Sequence, residues 1–273
     1  MTVIAHLSDL HFGAQKPVVR EALLHVLTME PPDVIAISGD LTQNATHREF
    51  VDGRAFLDRL RQPCLIVPGN HDIVGHRLIE RFTRPYERWR RFVAEGLEPE
   101  WSDDNVVIRG VNSARPFGPY LNWSRGQFSP AQIAAIDRTG AARRSLVVVA
   151  HHPVVWGNDT DRDYDLVTRG EAMLAVLARQ PRSIMLLGHR HRSHASLWNA
   201  EGGEREARGH MTARPGDVLI VHAGTACSDR LRGEANSWNR LGVCGEGVSV
   251  ETCTFDGTRW TRVARLTLAW GSR

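Results

Sequence analysis

The sequence predicts an α/β fold, with parallel strand pairs in one sheet and a second, β-rich sheet packed on it. Three observations carry this. Over the first two thirds of the 273 residues, short β-rich runs alternate with helical apolar spacing. After about Arg192 the pattern changes to closely spaced strands. Successive strands of the first part also run into the same residue types, Asp, His and Asn. Strand–helix–strand alternation implies parallel pairing, and ligands in such sheets bind beyond the carboxyl ends of the strands.

Residues Val3 to Leu7 open as a strand. Val18 to Met29 has helical spacing through Val19, Leu23, Val26 and Leu27. Val34 to Ile37 is a buried strand. Arg48 to Leu60 is a helix with Phe50, Phe56, Leu57 and Leu60 on one side, and Leu65 to Val67 a third strand. Strands follow at Val106 to Val111, Leu146 to Ala150 and Ile184 to Leu187. Helices are expected over Pro130 to Ile136, with Ser129 as N-cap and Pro130 at the first position, and over Glu171 to Leu177. Later strands are expected at Ser193 to Asn199, Val218 to His222, Gly247 to Phe255 and Trp260 to Leu268, the last two joined by an Asp256-Gly257 turn. Residues 75–105 are expected to form an amphipathic helical insertion with a solvated charged face. No linker divides the chain, so residues 1–273 are expected to form one domain that includes the β-rich part from about 193.

Composition excludes several classes. With 42% hydrophobic and 24% charged residues, the chain is neither disordered nor fibrous. No apolar run reaches the roughly 20 residues of a membrane helix. His6 and Asp9 fall where a signal peptide would carry its apolar run, so none is expected. The four cysteines (Cys64, Cys227, Cys244, Cys253) form no C-x-x-C pair, which fits reduced thiols in a cytoplasm. A net charge of +3, with Lys16 the one lysine, argues against a nucleic-acid partner. A homo-oligomer is left open. The count that stands out is 13 histidines.

Their placement carries the chemistry. The first strand runs into Ser8-Asp9-Leu10-His11, the second into Ser38-Gly39-Asp40, and the third into Pro68-Gly69-Asn70-His71-Asp72. The strand at 146–150 ends in His151-His152-Pro153 and that at 184–187 in Gly188-His189-Arg190-His191. Imidazole and carboxylate together ligate first-row divalent metals. Asp9-x-His11 and His189-x-His191 are expected on extended backbone, where alternation puts both side chains on one face. Gly39, Gly69 and Gly188 are expected to permit sharp turns. A lone histidine at a strand end is ordinarily a surface or core residue. It is the ordered set of strand-end blocks that points to a metal site.

These blocks resemble the calcineurin-like metallophosphoesterases. The stretch Ala223-Gly224-Thr225 through Arg230-Leu231-Arg232-Gly233 to Asn236-Ser237 resembles bacterial class III cyclic nucleotide phosphodiesterases. The resemblance implies a four-layer α/β/β/α sandwich with two divalent metal ions, and Mn, Fe, Zn and Co all suit such ligands. By the same resemblance Asp9, His11 and His191 hold the first metal, Asn70, His151 and His189 the second, and Asp40 bridges them. The resemblance also implies that His71 is the catalytic histidine, oriented by Asp72. It further implies that a hydroxide between the two metals would attack phosphorus.

The second block lacks the Gly-Asp-x-x-Asp-Arg-Gly of protein phosphatases, and there is no evident room for a DNA-capping domain. A small phosphodiester remains, either a cyclic nucleotide or a glycerophosphodiester-like compound. The alternatives are a phosphomonoesterase or a nucleotide- or lipid-linked pyrophosphatase. A non-enzymatic scaffold would be expected to have lost ligands, and none is missing. Arg190 is expected to point away from the metals, which favours a monoanionic diester. Arg230 and Arg232 could reverse that by reaching in. The roles of His152 and His222 are open at this stage.

Overall fold

The computed structural model describes residues 1–75, 77–117, 124–141, 143–156 and 166–271. In chain order the elements are β1 (Thr2–Leu7), α1 (Pro17–Met29), β2 (Val34–Ile37), α2 (His47–Leu57), β3 (Cys64–Ile66), α3 (Leu78–Thr83), α4 (Glu87–Phe92), β4 (Glu100–Ser102), β5 (Val106–Gly110) and α5 (Pro130–Asp137). There follow β6 (Ser145–Val149), α6 (Gly170–Leu177), β7 (Ser183–Leu187), β8 (His194–Asn199), β9 (Gly203–Glu206), β10 (Gly209–Thr212), β11 (Val218–His222), β12 (Ser237–Val243), β13 (Gly247–Phe255) and β14 (Trp260–Ala269). A 3-10 turn spans Asn70–Asp72.

Among the described residues these strands make two 7-stranded sheets, in the orders β10-β14-β13-β12-β1-β2-β3 and β4-β5-β6-β7-β11-β8-β9. The β1-β2-β3 and β5-β6-β7-β11 runs are parallel, as strand–helix alternation requires.

Three apolar clusters fill the three spaces of an α/β/β/α sandwich. In β2, Ile35 and Ile37 face α1 and α2, packing with Leu23, Leu27, Phe50 and Phe56. The alternate residues Val34 and Ala36 face the second sheet, with Val147, Val149, Ile184 and Leu186. The other faces of β6 and β7, through Leu146, Val148, Met185 and Leu187, pack with Ile136 of α5 and with Met173, Leu174 and Leu177 of α6. Strands covered on both faces are apolar throughout, which is why they read so clearly in the sequence.

Two expectations need correction. The C-terminal strands do not form a sheet of their own. β10, β12, β13 and β14 extend the sheet of β1, with β12 antiparallel to β1, whereas β8, β9 and β11 extend the sheet of β7. The 75–105 segment is helical only in part, as the short helices α3 and α4 followed by strand β4. Pro85 lies between α3 and α4, and a proline ring cannot extend the preceding helix. Its charged face is not wholly solvated, because Arg81 is buried and its guanidinium donates to the carbonyls of Pro116 (2.6 Å) and Val74 (3.2 Å). Its apolar residues divide: Trp89 is buried, while Leu78, Ile79 and Phe82 are exposed. The Ser129–Pro130 start of α5 is as expected, with Ser129 accepting from the Gln132 amide.

Candidate metal centre

The loops that leave β1, β2, β3, β6 and β7 meet at one end of the two sheets. There the side chains of Asp9, His11, Asp40, Asn70, His151, His189 and His191 converge. The Asp9 Oδ1 atom lies 3.2 Å from His191 Nε2 and 3.6 Å from His11 Nε2. On the other side, Asn70 Oδ1 lies 3.2 Å from His151 Nε2 and 3.0 Å from His189 Nδ1. Between these two groups sits Asp40, whose Oδ2 is 3.3 Å from His151 Nε2 and 3.7 Å from His11 Nε2.

Backbone conformation, not strand alternation, aims these groups. Asp9, His11, Asp40, His189 and His191 all have left-handed φ, between 47° and 70°. The expectation of extended backbone at Asp9-x-His11 and His189-x-His191 is therefore overturned. Left-handed φ costs about 1–2 kcal/mol in a residue with a Cβ, and it clusters where a site needs it. Of the three glycines, Gly39 (φ 99°) does use left-handed backbone. Gly69 and Gly188 serve close approach instead. A Cβ on Gly69 would collide with the Asp40 carboxylate, and one on Gly188 with the Ser8 hydroxyl.

The outer faces of the rings are fixed by main-chain carbonyls. His151 Nδ1 donates to Ser38 O (2.8 Å), and His191 Nδ1 donates to Arg230 O (2.6 Å). A neutral imidazole has one N–H, so Nε2 of each ring turns a lone pair toward an aspartate oxygen 3.2–3.3 Å away. Two acceptors at that distance need a proton or a cation between them. Without a cation the answer is protons. Burial pulls His151 down, but the charge of Asp40 outweighs it and pushes the imidazole up to about 9. His191 is raised in the same way, Asp9 overcoming burial. Asp9 and Asp40 are both held below the usual carboxylate range, the histidines overcoming their burial. The donor set therefore fits divalent cations, with carbonyl-backed imidazoles of the kind found around bound metals.

His71 is close by but differently used. Its amide donates to Asp40 Oδ1 (2.9 Å), its ring stands edge-on to His11 at 5.0 Å, and Nδ1 donates to Gln43 O (2.7 Å). Asp72 does not hold that ring, contrary to expectation. Its carboxylate accepts from the amides of Gly69 (2.9 Å), Leu41 (3.2 Å) and Thr42 (2.9 Å) and from Thr42 Oγ1 (2.9 Å). Asp72 thus ties the Asp40 loop to the Asn70 turn. Burial, then the charge of Asp40, pushes it up to about 6.

Other residues of open role also find places. His152 is buried, its Nδ1 2.8 Å from Ser113 Oγ and its ring 5.0 Å from that of His189. It shares a potential ligand cluster with His151 and His189. Arg190 is buried, and its charge, after burial, lowers the buried His222. Arg230 does reach in: Nη1 donates to His71 Nε2 at 2.9 Å. Asn236 instead braces its own loop, donating to Thr225 O and Ser228 O. Arg232 offers a carbonyl to Arg192 Nε.

The model of the calcineurin-like phosphoesterase family matches residues 2–193, which include every one of the converging residues. The chain belongs to that family. Among curated relatives, this calcineurin-like phosphoesterase is 25% identical over 213 residues to a probable glycerophosphodiester phosphodiesterase GpdQ from Arcobacter nitrofigilis, covering 72% of this chain and 74% of the relative. It is 29% identical over 220 residues to the 3',5'-cyclic adenosine monophosphate phosphodiesterase CpdA from Escherichia coli, covering 72% of each. Its fold is similar to that of a dimetal phosphatase from Danio rerio (TM-score 0.65, 13% identity, 99% of each chain). It is also similar to that of a purple acid phosphatase from yellow lupin (TM-score 0.76, 10% identity), covering 98% of this chain and 53% of that one.

Proposed function

We propose that this calcineurin-like phosphoesterase hydrolyses a small phosphodiester, a cyclic nucleotide or a glycerophosphodiester-like compound, at a site that holds two divalent ions. The observation that carries it is the position of Asp40 Oδ2 between His151 and His11, at 3.3 and 3.7 Å, with a trio of donors on either side. Asp9, His11 and His191 would hold one ion, Asn70, His151 and His189 the other, and Asp40 would be shared. Such ions supply positive charge to phosphoryl oxygens and make a water acidic near neutral pH. Mn, Fe, Zn and Co all suit the donors.

The chain's own residues do the rest. The carbonyls of Ser38 and Arg230 keep protons on Nδ1 of His151 and His191, so both Nε2 atoms face inward. His71 is anchored at Nδ1 by Gln43 O, which aims Nε2 into the site; once protonated there, the imidazolium would pass that proton to the leaving oxygen. Asp72 acts one step away, by locking the loops that carry Asp40 and Asn70.

The diester reading is supported by the phosphodiesterases among the relatives. We read residues 1–273 as one unit, because β12 pairs with β1. Among the described residues no helix is long and apolar enough to cross a membrane. Cys64, Cys227, Cys244 and Cys253 are free thiols, in keeping with a reducing, cytoplasmic compartment.

The test is a hydrolysis screen with added Mn. It compares bis(p-nitrophenyl) phosphate, p-nitrophenyl phosphate, cyclic nucleotides and glycerophosphodiesters. Higher kcat/KM on diesters is expected. A clear monoester preference would move the enzyme to the phosphatases.

A further inference from the structure

We propose that Arg230 is the side chain that grips the phosphoryl group, and that His71 Nε2 is where its guanidinium rests when no substrate is bound. This deepens, and depends on, the reading of the site as a phosphoester-binding centre.

Arg230 belongs to the connection between β11 and β12, and its backbone is fixed to the site. Its carbonyl accepts from His191 Nδ1 at 2.6 Å and from Thr225 Oγ1 at 3.1 Å. The side chain then reaches across the site to the opposite loop. There Nη1 donates to His71 Nε2 at 2.9 Å and to Gln43 Oε1 at 3.4 Å. Both acceptors are neutral, for His71 has its N–H on the far side, directed at Gln43 O. Among the described residues Arg230 makes no ion pair with a carboxylate, although the chain's other arginines often do, as Arg205 does with Asp217.

A guanidinium held only by neutral acceptors beside a metal-binding cage keeps its charge free for an anion. Hydrogen bonds between guanidinium and phosphate oxygens are charge-assisted and about twice as strong as neutral ones. The guanidinium fork also fits two phosphoryl oxygens at once, which an imidazole nitrogen cannot match. An arriving phosphoryl oxygen therefore displaces His71 as the partner of Arg230. The exchange makes Arg230 a specificity residue. A dianionic monoester gains more from the extra cation than a monoanionic diester does.

The experiment uses the full chain loaded with Mn, as wild type, Arg230→Gln and Arg230→Lys. Metal content, binding of inorganic phosphate by titration calorimetry, and kcat and KM on bis(p-nitrophenyl) phosphate and p-nitrophenyl phosphate are measured for each. Metal content should be unchanged in Arg230→Gln, because the carbonyl that holds His191 is main chain. Phosphate affinity should fall about 10- to 100-fold, the worth of a hydrogen bond to a charged group. Its kcat/KM should fall more for the monoester than for the diester, chiefly through KM, and Arg230→Lys should recover part of the phosphate binding. Unchanged phosphate affinity in Arg230→Gln would overturn the proposal. So would metal loss in step with activity, which would make the residue structural. If the wild type binds no phosphate and cleaves neither ester, the phosphoester reading itself fails, and this proposal with it.

Discussion

At the residue scale, replacing His71 tests the proposed chemistry apart from metal holding. Its ring touches Gln43 O, Arg230 and the edge of His11, while its link to Asp40 is through the main-chain amide, which any residue keeps. His71→Ala should therefore retain its metal and lose activity by about 10²–10⁴-fold, the usual cost of a missing general acid. The defect should shrink with p-nitrophenolate, a leaving group that needs little protonation. Metal analysis beside kinetics on good and poor leaving groups checks both points, and loss of metal would make His71 a ligand. The converging residues were legible in the sequence because Asp, His and Asn at successive strand ends have few other uses. Their left-handed backbone was not legible, since an Asp-x-His pair reads the same on either conformation. The partners of Asp72 were hidden for a related reason. Its neighbour in sequence is His71, but apart from the Gly69 amide its partners in space are Leu41 and Thr42, about thirty residues away.

At the element scale, the β8–β9–β11 side of the second sheet depends on a buried carboxylate. Asp217, just before β11, accepts from Asn199 Nδ2 (3.1 Å), the Arg214 amide (2.7 Å) and Arg205 Nη1 (3.1 Å), with Arg205 Nη2 also in contact. Burial works to raise it, but the Arg205 hydrogen bond and the amides hold it below the ordinary carboxylate range. Asp217→Asn should cost about 1.5–3 kcal/mol near neutral pH, as for hydrogen bonds to a charged group. The folded-state value is depressed, so this stability is complete above the unfolded value of about 3.9 and is lost as the pH falls through the folded one. Urea melts should show a constant gap between wild type and variant from pH 8 to about 5, narrowing below about 4. A gap that begins to close near pH 7 would contradict it. Elements with two buried faces were readable from their apolar runs. β9 (Gly-Glu-Arg-Glu) and β10 (Gly-His-Met-Thr) were not, because they are short, polar and exposed. β12 was missed because Ser237, Trp238 and Asn239 are all buried, which erases the alternation that marks a strand.

At the scale of the whole molecule, the two sheets bring their strand ends to one place, and the loops of both contribute donors. Asp9, His11, Asp40 and Asn70 come from the β1-β2-β3 side, and His151, His189 and His191 from the β6-β7 side. Which sheet each C-terminal strand would join could not be read from periodicity, which reports faces and not partners. That choice matters for function, since the connection between β11 and β12 passes from one sheet to the other and carries Arg230 over the site. The central claim is that the two groups of donors hold two ions through one shared carboxylate. The direct measurement is metal stoichiometry by elemental analysis of wild type, Asp40→Ala and Asn70→Ala after reconstitution with Mn. About two equivalents per chain are expected in the wild type, as at two-metal phosphoesterase sites. Asp40→Ala should weaken both, and Asn70→Ala mainly one. A wild type that saturates at one equivalent, or an Asp40→Ala variant with one site left intact, would contradict the account.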